Sequence, residues 1–168
     1  MLYLERQISR TLHDDHLRTI GVLERLEAVL HKHRAKTAPD HNLPEISTLL
    51  ADIIGLVEAD VKTHFAFEEE HLFTRLAEAG DSPIGELLTQ EHNVILPLGT
   101  GLGELARKAR KDGFTDEEWH EFHRSGMELI ERMISHIQKE EMGLLPMLDE
   151  LIEEDEDADL AAAYAQLG

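Results

Sequence analysis

Apolar residues recur along this chain at helical rather than strand spacing. One stripe runs Leu12, Leu23, Leu26 and Leu30, with His16 and Thr19 in phase between them; another runs Leu88, Ile95, Leu102 and Leu105 around His92. Breaker clusters divide the pattern into four long amphipathic segments. The first covers about residues 5–36 and stops before the loop from Pro39 to Pro44. The second starts near Asn42-Leu43-Pro44-Glu45, where Asn42 and Glu45 are expected to cap and Pro44 fits the first turn; it ends at Gly80-Asp81-Ser82-Pro83. The third runs from Ser82-Pro83 to Gly113. The fourth opens on Thr115-Asp116-Glu117-Glu118, a capping-box pattern, and continues to about Met147, with Pro146 expected to bend or end it. An Ala-rich piece at 160–166 predicts a final helical turn or two.

No segment has the strand period. Long helices joined by short loops pack as antiparallel neighbours, so the predicted fold is all-α, an up-down-up-down four-helix bundle. The length suits one domain over residues 1–168, with the bundle at about 5–148 and an acidic tail at 149–168. Within the third helix, Pro97 is followed by Gly99, Gly101 and Gly103, which predicts a kink, read as a local bend that the bundle tolerates or, alternatively, as one that re-aims His92 or opens a channel.

Composition narrows the chemistry. The chain has no cysteine, which excludes disulfides, thiolate metal sites and covalent haem attachment. A formal charge of −19 repels nucleic acid and anionic membranes, so neither is an expected partner. The run DELIEEDEDAD, Asp149 to Asp159, reads as a solvated end. No stretch approaches a membrane span and MLYLERQISR lacks a signal-peptide apolar region, so the expected location is cytoplasmic.

The most informative chemical pattern is a repeat. His64-x-x-x-Glu68-Glu69 recurs 72 residues later as His136-x-x-x-Glu140-Glu141, and the match extends to leucines at 72/144 and 76/148. On a helix, residues i and i+4 share a face about 6 Å apart along the axis, so each copy aims an imidazole and a carboxylate at one point. His16 and His92 extend the symmetry. Each follows an acid, Asp15 or Glu91, on an apolar stripe of the preceding helix, 48 and 44 residues before its partner histidine. Buried ionisable groups are costly unless paired or metal-bound. Four imidazoles and two carboxylates therefore predict a metal centre of His16, His64, Glu68, His92, His136 and Glu140. Such a donor set suits iron, with manganese or zinc possible. Glu68 and Glu140 are expected to bridge two ions, two histidines serving each, with positions left open for a small ligand.

These residues resemble the hemerythrin-type HHE cation-binding domain. The resemblance spans Thr11 to Leu148 and rests on Asp14-Asp15-His16, His64-x-x-x-Glu68-Glu69-x-x-Leu72-Phe73, Glu91-His92, and His136-x-x-x-Glu140-Glu141 with Leu145-Pro146. It implies a four-helix bundle around a non-haem centre of two iron ions. It further implies binding or sensing of oxygen, nitric oxide or peroxide, or a role in iron handling. The chain departs from the oxygen carriers of that family. Leu96 stands where they place a fifth histidine, and Glu140 follows its histidine by four residues rather than five, which argues against simple oxygen transport.

Other residues complete the expectations. His71 and His13 share the ligand faces, as added ligands, outer partners or partly exposed residues. Glu69 and Glu141 read as outer-shell or surface acids. His31, His33 and His41 read as surface residues, and His120 and His123 lie roughly 20 Å from His136 along the helix. Asp60 and Arg132 occupy equivalent positions in the repeat and are expected to pair across the bundle. Two alternatives compete: a ferritin-like di-iron oxidase built on Glu68-x-x-His71 and Glu117-x-x-His120, and a metal-free helical adaptor.

Overall fold

The computed structural model describes residues 3–80 and 83–167, the Asp60 side chain excepted, and these residues contain helices and no strand. α1 is Gln7–Lys32. α2 is a composite rod over residues 44–78. It is α-helical at Pro44–Gly55, His64–Phe67 and Phe73–Glu78, and turns as a wide π-helix at Leu56–Thr63 and Glu68–Leu72. α3 is Pro83–Asp112. α4 begins as Asp116–Lys139, widens into a π segment at Glu140–Leu144, and finishes as Leu145–Leu151. α5 is Glu154–Leu167. The first four close a ring in which α1 packs on α2 and α4, and α3 packs on the same two, while α5 lies along α1.

The element boundaries follow local chemistry, with some departures. α1 ends at Lys32, short of residue 36, because His33 turns extended (φ −106°, ψ 133°) and the Trp119 indole donates to the Arg34 carbonyl at 2.8 Å, pinning the loop. Asn42 does not cap α2. Leu43 holds that position without a side-chain bond, and Glu45 instead accepts from Lys32 at 2.9 Å. Thr115 caps α4 as expected, accepting from the Glu118 amide at 3.1 Å. The expected turn at Gly80–Pro83 includes Asp81 and Ser82, which lie outside the described residues.

Both inner prolines lie within helices that continue past them. Pro97 does not end α3; it lies on the exposed face, and His92 stays on the buried face with Leu88 and Ile95. Pro146 does not end α4 either. It falls in the first turn after the π segment, where a missing amide donor costs least.

Two apolar clusters fill the bundle. Leu26, Leu30, Ile53, Leu102, Trp119 and Phe122 belong to one, and Ile8, Leu12, Phe67, Leu88, Leu144 and Leu148 to the other. Burying each such side chain stabilises the fold by about 1.5–3 kcal/mol. Along every helix of the ring the predicted metal residues fall between the two clusters: His16 after Leu12, His64 and Glu68 around Phe67, His92 after Leu88, and His136 and Glu140 before Leu144. A polar layer thus crosses the middle of an apolar bundle.

The acidic segment is not the solvated tail expected from its charge. Its carboxylates cap α1. Asp149 accepts from the amides of Glu5 and Arg6 at 2.9 and 2.8 Å, and Asp157 from those of Gln7 and Ile8 at 2.8 Å each. A helix leaves its first amides without internal partners and carries partial positive charge there, so acids are the side chains that end needs. Apolar Leu160, Ala163 and Tyr164 then seat α5 on the second cluster.

Candidate metal centre

All six predicted metal residues meet in the polar layer, and none is more than 4% exposed. Their donor atoms form two groups, each within a 4.8 Å span: Glu68, His92, His136 and Glu140 in one, and His16, His64 and Glu140 in the other. Glu140 belongs to both. Its Oε2 lies 2.8 Å from His16 Nε2 and 3.6 Å from His64 Nε2, while Oε1 contacts His136 Nε2. Glu68 Oε1 lies 3.3 Å from His64 Nε2 and 3.5 Å from His92 Nε2. Each acid opens a π segment, at equivalent places in the repeat. Such wide turns are rare and concentrate at functional sites.

The donor set fits a cation. Neither oxygen of Glu68 receives a hydrogen bond, although the residue is fully buried. His92 Nε2 and His136 Nε2 face each other at 3.1 Å, which places at least one ring lone pair toward the other ring. Buried acceptors aimed at one another are costly without a positive charge between them.

Outside this layer, an acid stands at each imidazole's other nitrogen. His16 Nδ1 donates to Glu141 at 2.6 Å, His136 Nδ1 to Glu91 at 2.8 Å and His64 Nδ1 to Asp15 at 3.4 Å; His92 Nδ1 lies 3.6 Å from Glu69. An ionised carboxylate only accepts, so Nδ1 carries a proton, and the inward Nε2 is the nitrogen left to bind a cation once it gives up any proton of its own. The pattern obeys the repeat. The acid preceding each first histidine (Asp15, Glu91) holds the second histidine of the same hairpin. The acid following each Glu (Glu69, Glu141) stands beside the first histidine of the other hairpin, hydrogen-bonded in the case of Glu141 and His16 and at 3.6 Å in that of Glu69 and His92.

Electrostatics reflect this crowding. Burial disfavours the charged form of His16, but hydrogen bonds to Glu140 and Glu141 outweigh it and raise the pKa to about 9. Burial likewise opposes the charge on His64 and His136, and Glu68 and Glu140 beside them raise both. Glu140 is pulled well below the usual carboxylate range by three imidazoles despite its burial.

Three neighbours escaped the sequence reading. Phe65 stacks on His92 at 3.7 Å and 6°. Thr19, with Phe65, Met133 and Ile137, lines a cavity of about 10 Å³ against His16, His64, His136 and Glu140. Tyr164 reaches Asp15 from α5. Thr19 and Phe65 do lie on ligand faces one turn or one residue from a histidine, but nothing in the sequence places α5.

Other expectations resolve individually. His13 is an outer partner, its Nδ1 2.8 Å from Glu141, and His71 is partly exposed against Phe67. Glu117 and His120 are exposed at the far end of α4, so they make no ferritin-like pair with Glu68 and His71. His33 is half-buried against Trp119 rather than a surface residue. Arg132 is exposed and donates to Glu128 at 2.9 Å rather than facing inward as expected; the Asp60 side chain, its expected partner, lies outside the described residues.

Fold and site together define a helical-bundle protein with a buried His/Glu cluster fit to hold metal. The model of the hemerythrin HHE cation-binding domain matches residues 7–163, and the chain belongs to that family. Membership implies metal-ion binding, typically of iron. Comparison with curated proteins gives no match. Among the described residues no helix is long and apolar enough to cross a membrane.

Proposed function

We propose that the chain holds two iron ions and binds or processes a small oxidant such as oxygen, nitric oxide or peroxide. His16 and His64 would hold one ion, His92 and His136 the other, with Glu68 and Glu140 shared. The observation that carries this reading is the pair of donor groups joined through Glu140, with Nε2 atoms turned inward and Nδ1 atoms held by acids. Bound iron supplies a redox-active Lewis acid with coordination positions that the protein leaves open.

The surrounding residues then act on the ligand. The adjoining cavity has room for about one water, so it admits ligands of one or two heavy atoms and excludes organic substrates. Phe65, Met133 and Ile137 keep it apolar, which strengthens electrostatic interactions within it. Thr19 offers a hydroxyl able to donate to the ligand.

The test is elemental analysis of protein purified without affinity metal, with aerobic and reduced visible spectra. Close to two irons per chain, lost in His64→Ala and His136→Ala, is expected. Zinc or manganese instead would remove the oxidant chemistry, and failure to take up ferrous iron anaerobically would remove the site.

A further inference from the structure

α5 stands outside the four-helix ring, yet it touches the metal layer. Its acids tie it down at one end: Asp157 on α1 and Glu156, whose Oε1 accepts from Arg75 Nε at 2.6 Å. Tyr164 lies seven residues after Asp157, two helical turns on and so on the same face. Its hydroxyl donates to Asp15 Oδ2 and sits 3.4 Å from His64 Nδ1, while its ring lies 4.8 Å from Phe67 and 6.3 Å from the His64 ring. Asp15 is only 3% exposed. The same Oδ2 oxygen is the acceptor for His64 Nδ1, so phenol and imidazole share one acceptor atom.

Asp15 also accepts from the Arg18 guanidinium through Oδ1, and the other half of the bundle repeats that cation but not the phenol. There the equivalent acid, Glu91, accepts from the Lys139 ammonium at 2.5 Å while holding His136. The repeat that places four histidines and two carboxylates symmetrically is therefore broken one shell out, and α5 breaks it.

We propose that Tyr164 is a positioning residue for the metal centre, acting through Asp15 to set the orientation and electron donation of His64. This rests on the metal-centre reading above. A phenol hydroxyl draws negative charge from Asp15 and limits how strongly that carboxylate pulls on the His64 Nδ1 proton. Without the hydroxyl, Asp15 becomes a stronger acceptor, His64 a more basic ligand, and the oxidised metal is favoured. The acidic C-terminal helix is thus a working part of one metal position and not of the other.

Tyr164→Phe tests this, because it keeps the ring against Phe67 and removes only the hydroxyl. Glu156→Gln is the control: it loosens the tie of α5 to Arg75 without touching Asp15. Both variants and the parent protein are loaded with iron, and metal content, midpoint potential and iron loss to a chelator are measured. Tyr164→Phe is expected to bind iron in the parent stoichiometry with a more negative potential and roughly tenfold altered metal affinity, the lower end of outer-partner effects. Glu156→Gln is expected to match the parent. Identical potentials in Tyr164→Phe and parent would overturn the proposal. So would an equal shift in Glu156→Gln, which would assign the effect to helix docking. A parent protein that takes up no iron would remove the metal reading itself, an outcome visible before any variant is compared.

Discussion

Replacing Asp157 with alanine removes the carboxylate that accepts from the Gln7 and Ile8 amides, both at 2.8 Å. These are two of the amides α1 cannot satisfy internally, and its own cap residue, Arg6, makes no side-chain cap bond. A capping side chain is worth about 1 kcal/mol, and an acid at a helix start adds about 0.3–1 kcal/mol, so a loss of about 1.5–2 kcal/mol is expected. The substitution also alters α5, where Asp157 lies in the first turn: alanine gains helix propensity and loses a favourable dipole interaction. Asp155→Ala carries both local effects in the same turn, and Asp155 is exposed. The difference between the two variants therefore isolates the cap on α1. For a chain of this size 1 kcal/mol moves the melting temperature by about 2–4 °C, so Asp157→Ala should melt roughly 3–8 °C below Asp155→Ala. Far-ultraviolet circular dichroism on metal-free protein reads this without ligand linkage. Coincident melting curves would show that α5 does not dock on α1, and the reasoning would fail.

Three further outcomes follow from the site. In metal-free protein His16, with its pKa raised from 6.5 to about 9, stabilises the fold fully below pH 6.5 and loses that contribution as pH rises through about 9; the difference is on the order of 3 kcal/mol. Urea melts in chelator across that window should show the decline, and a flat profile would contradict it. Glu140→Ala, which removes the acid common to both donor groups, leaves three donors only in the group of Glu68, His92 and His136 and should hold at most one ion per chain by elemental analysis, whereas Glu68→Ala leaves three donors in each group, Glu140 still common to both, and should retain at least one. Thr19→Val should leave iron content unchanged and weaken nitric oxide binding to the ferrous protein by roughly two- to tenfold, the worth of one hydrogen bond; equal dissociation constants would take Thr19 out of ligand binding.

The ring of four helices and the six converging donors were legible because both rest on periodicity. An i, i+4 pair on an apolar stripe must face the core, and a repeat of that pair must do so twice. The acids at the outer nitrogens were half legible: Asp15 and Glu91 precede the histidines, and Glu69 and Glu141 follow the shared acids. Which imidazole each one serves is set by helix-to-helix placement, which local spacing does not carry. The effects of Pro97 and Pro146 were legible only in part. A proline's effect depends on which side of the helix its missing donor falls, and on whether a wide turn precedes it. The acidic segment misled most, because charge density alone reads as solvation. Its carboxylates find partners at the start of α1, more than 140 residues away, and at Arg75 on α2.

That distance has a consequence for how the protein is made. α1 leaves the ribosome more than 140 residues ahead of the acceptors for its opening amides, Asp149 and Asp157. His16 likewise waits for Glu140 and Glu141. α1 therefore emerges with an open end and an incomplete polar layer, and cannot lock until residues 140–157 have followed it. Assembly of the polar layer is in this sense timed by the order of the sequence itself.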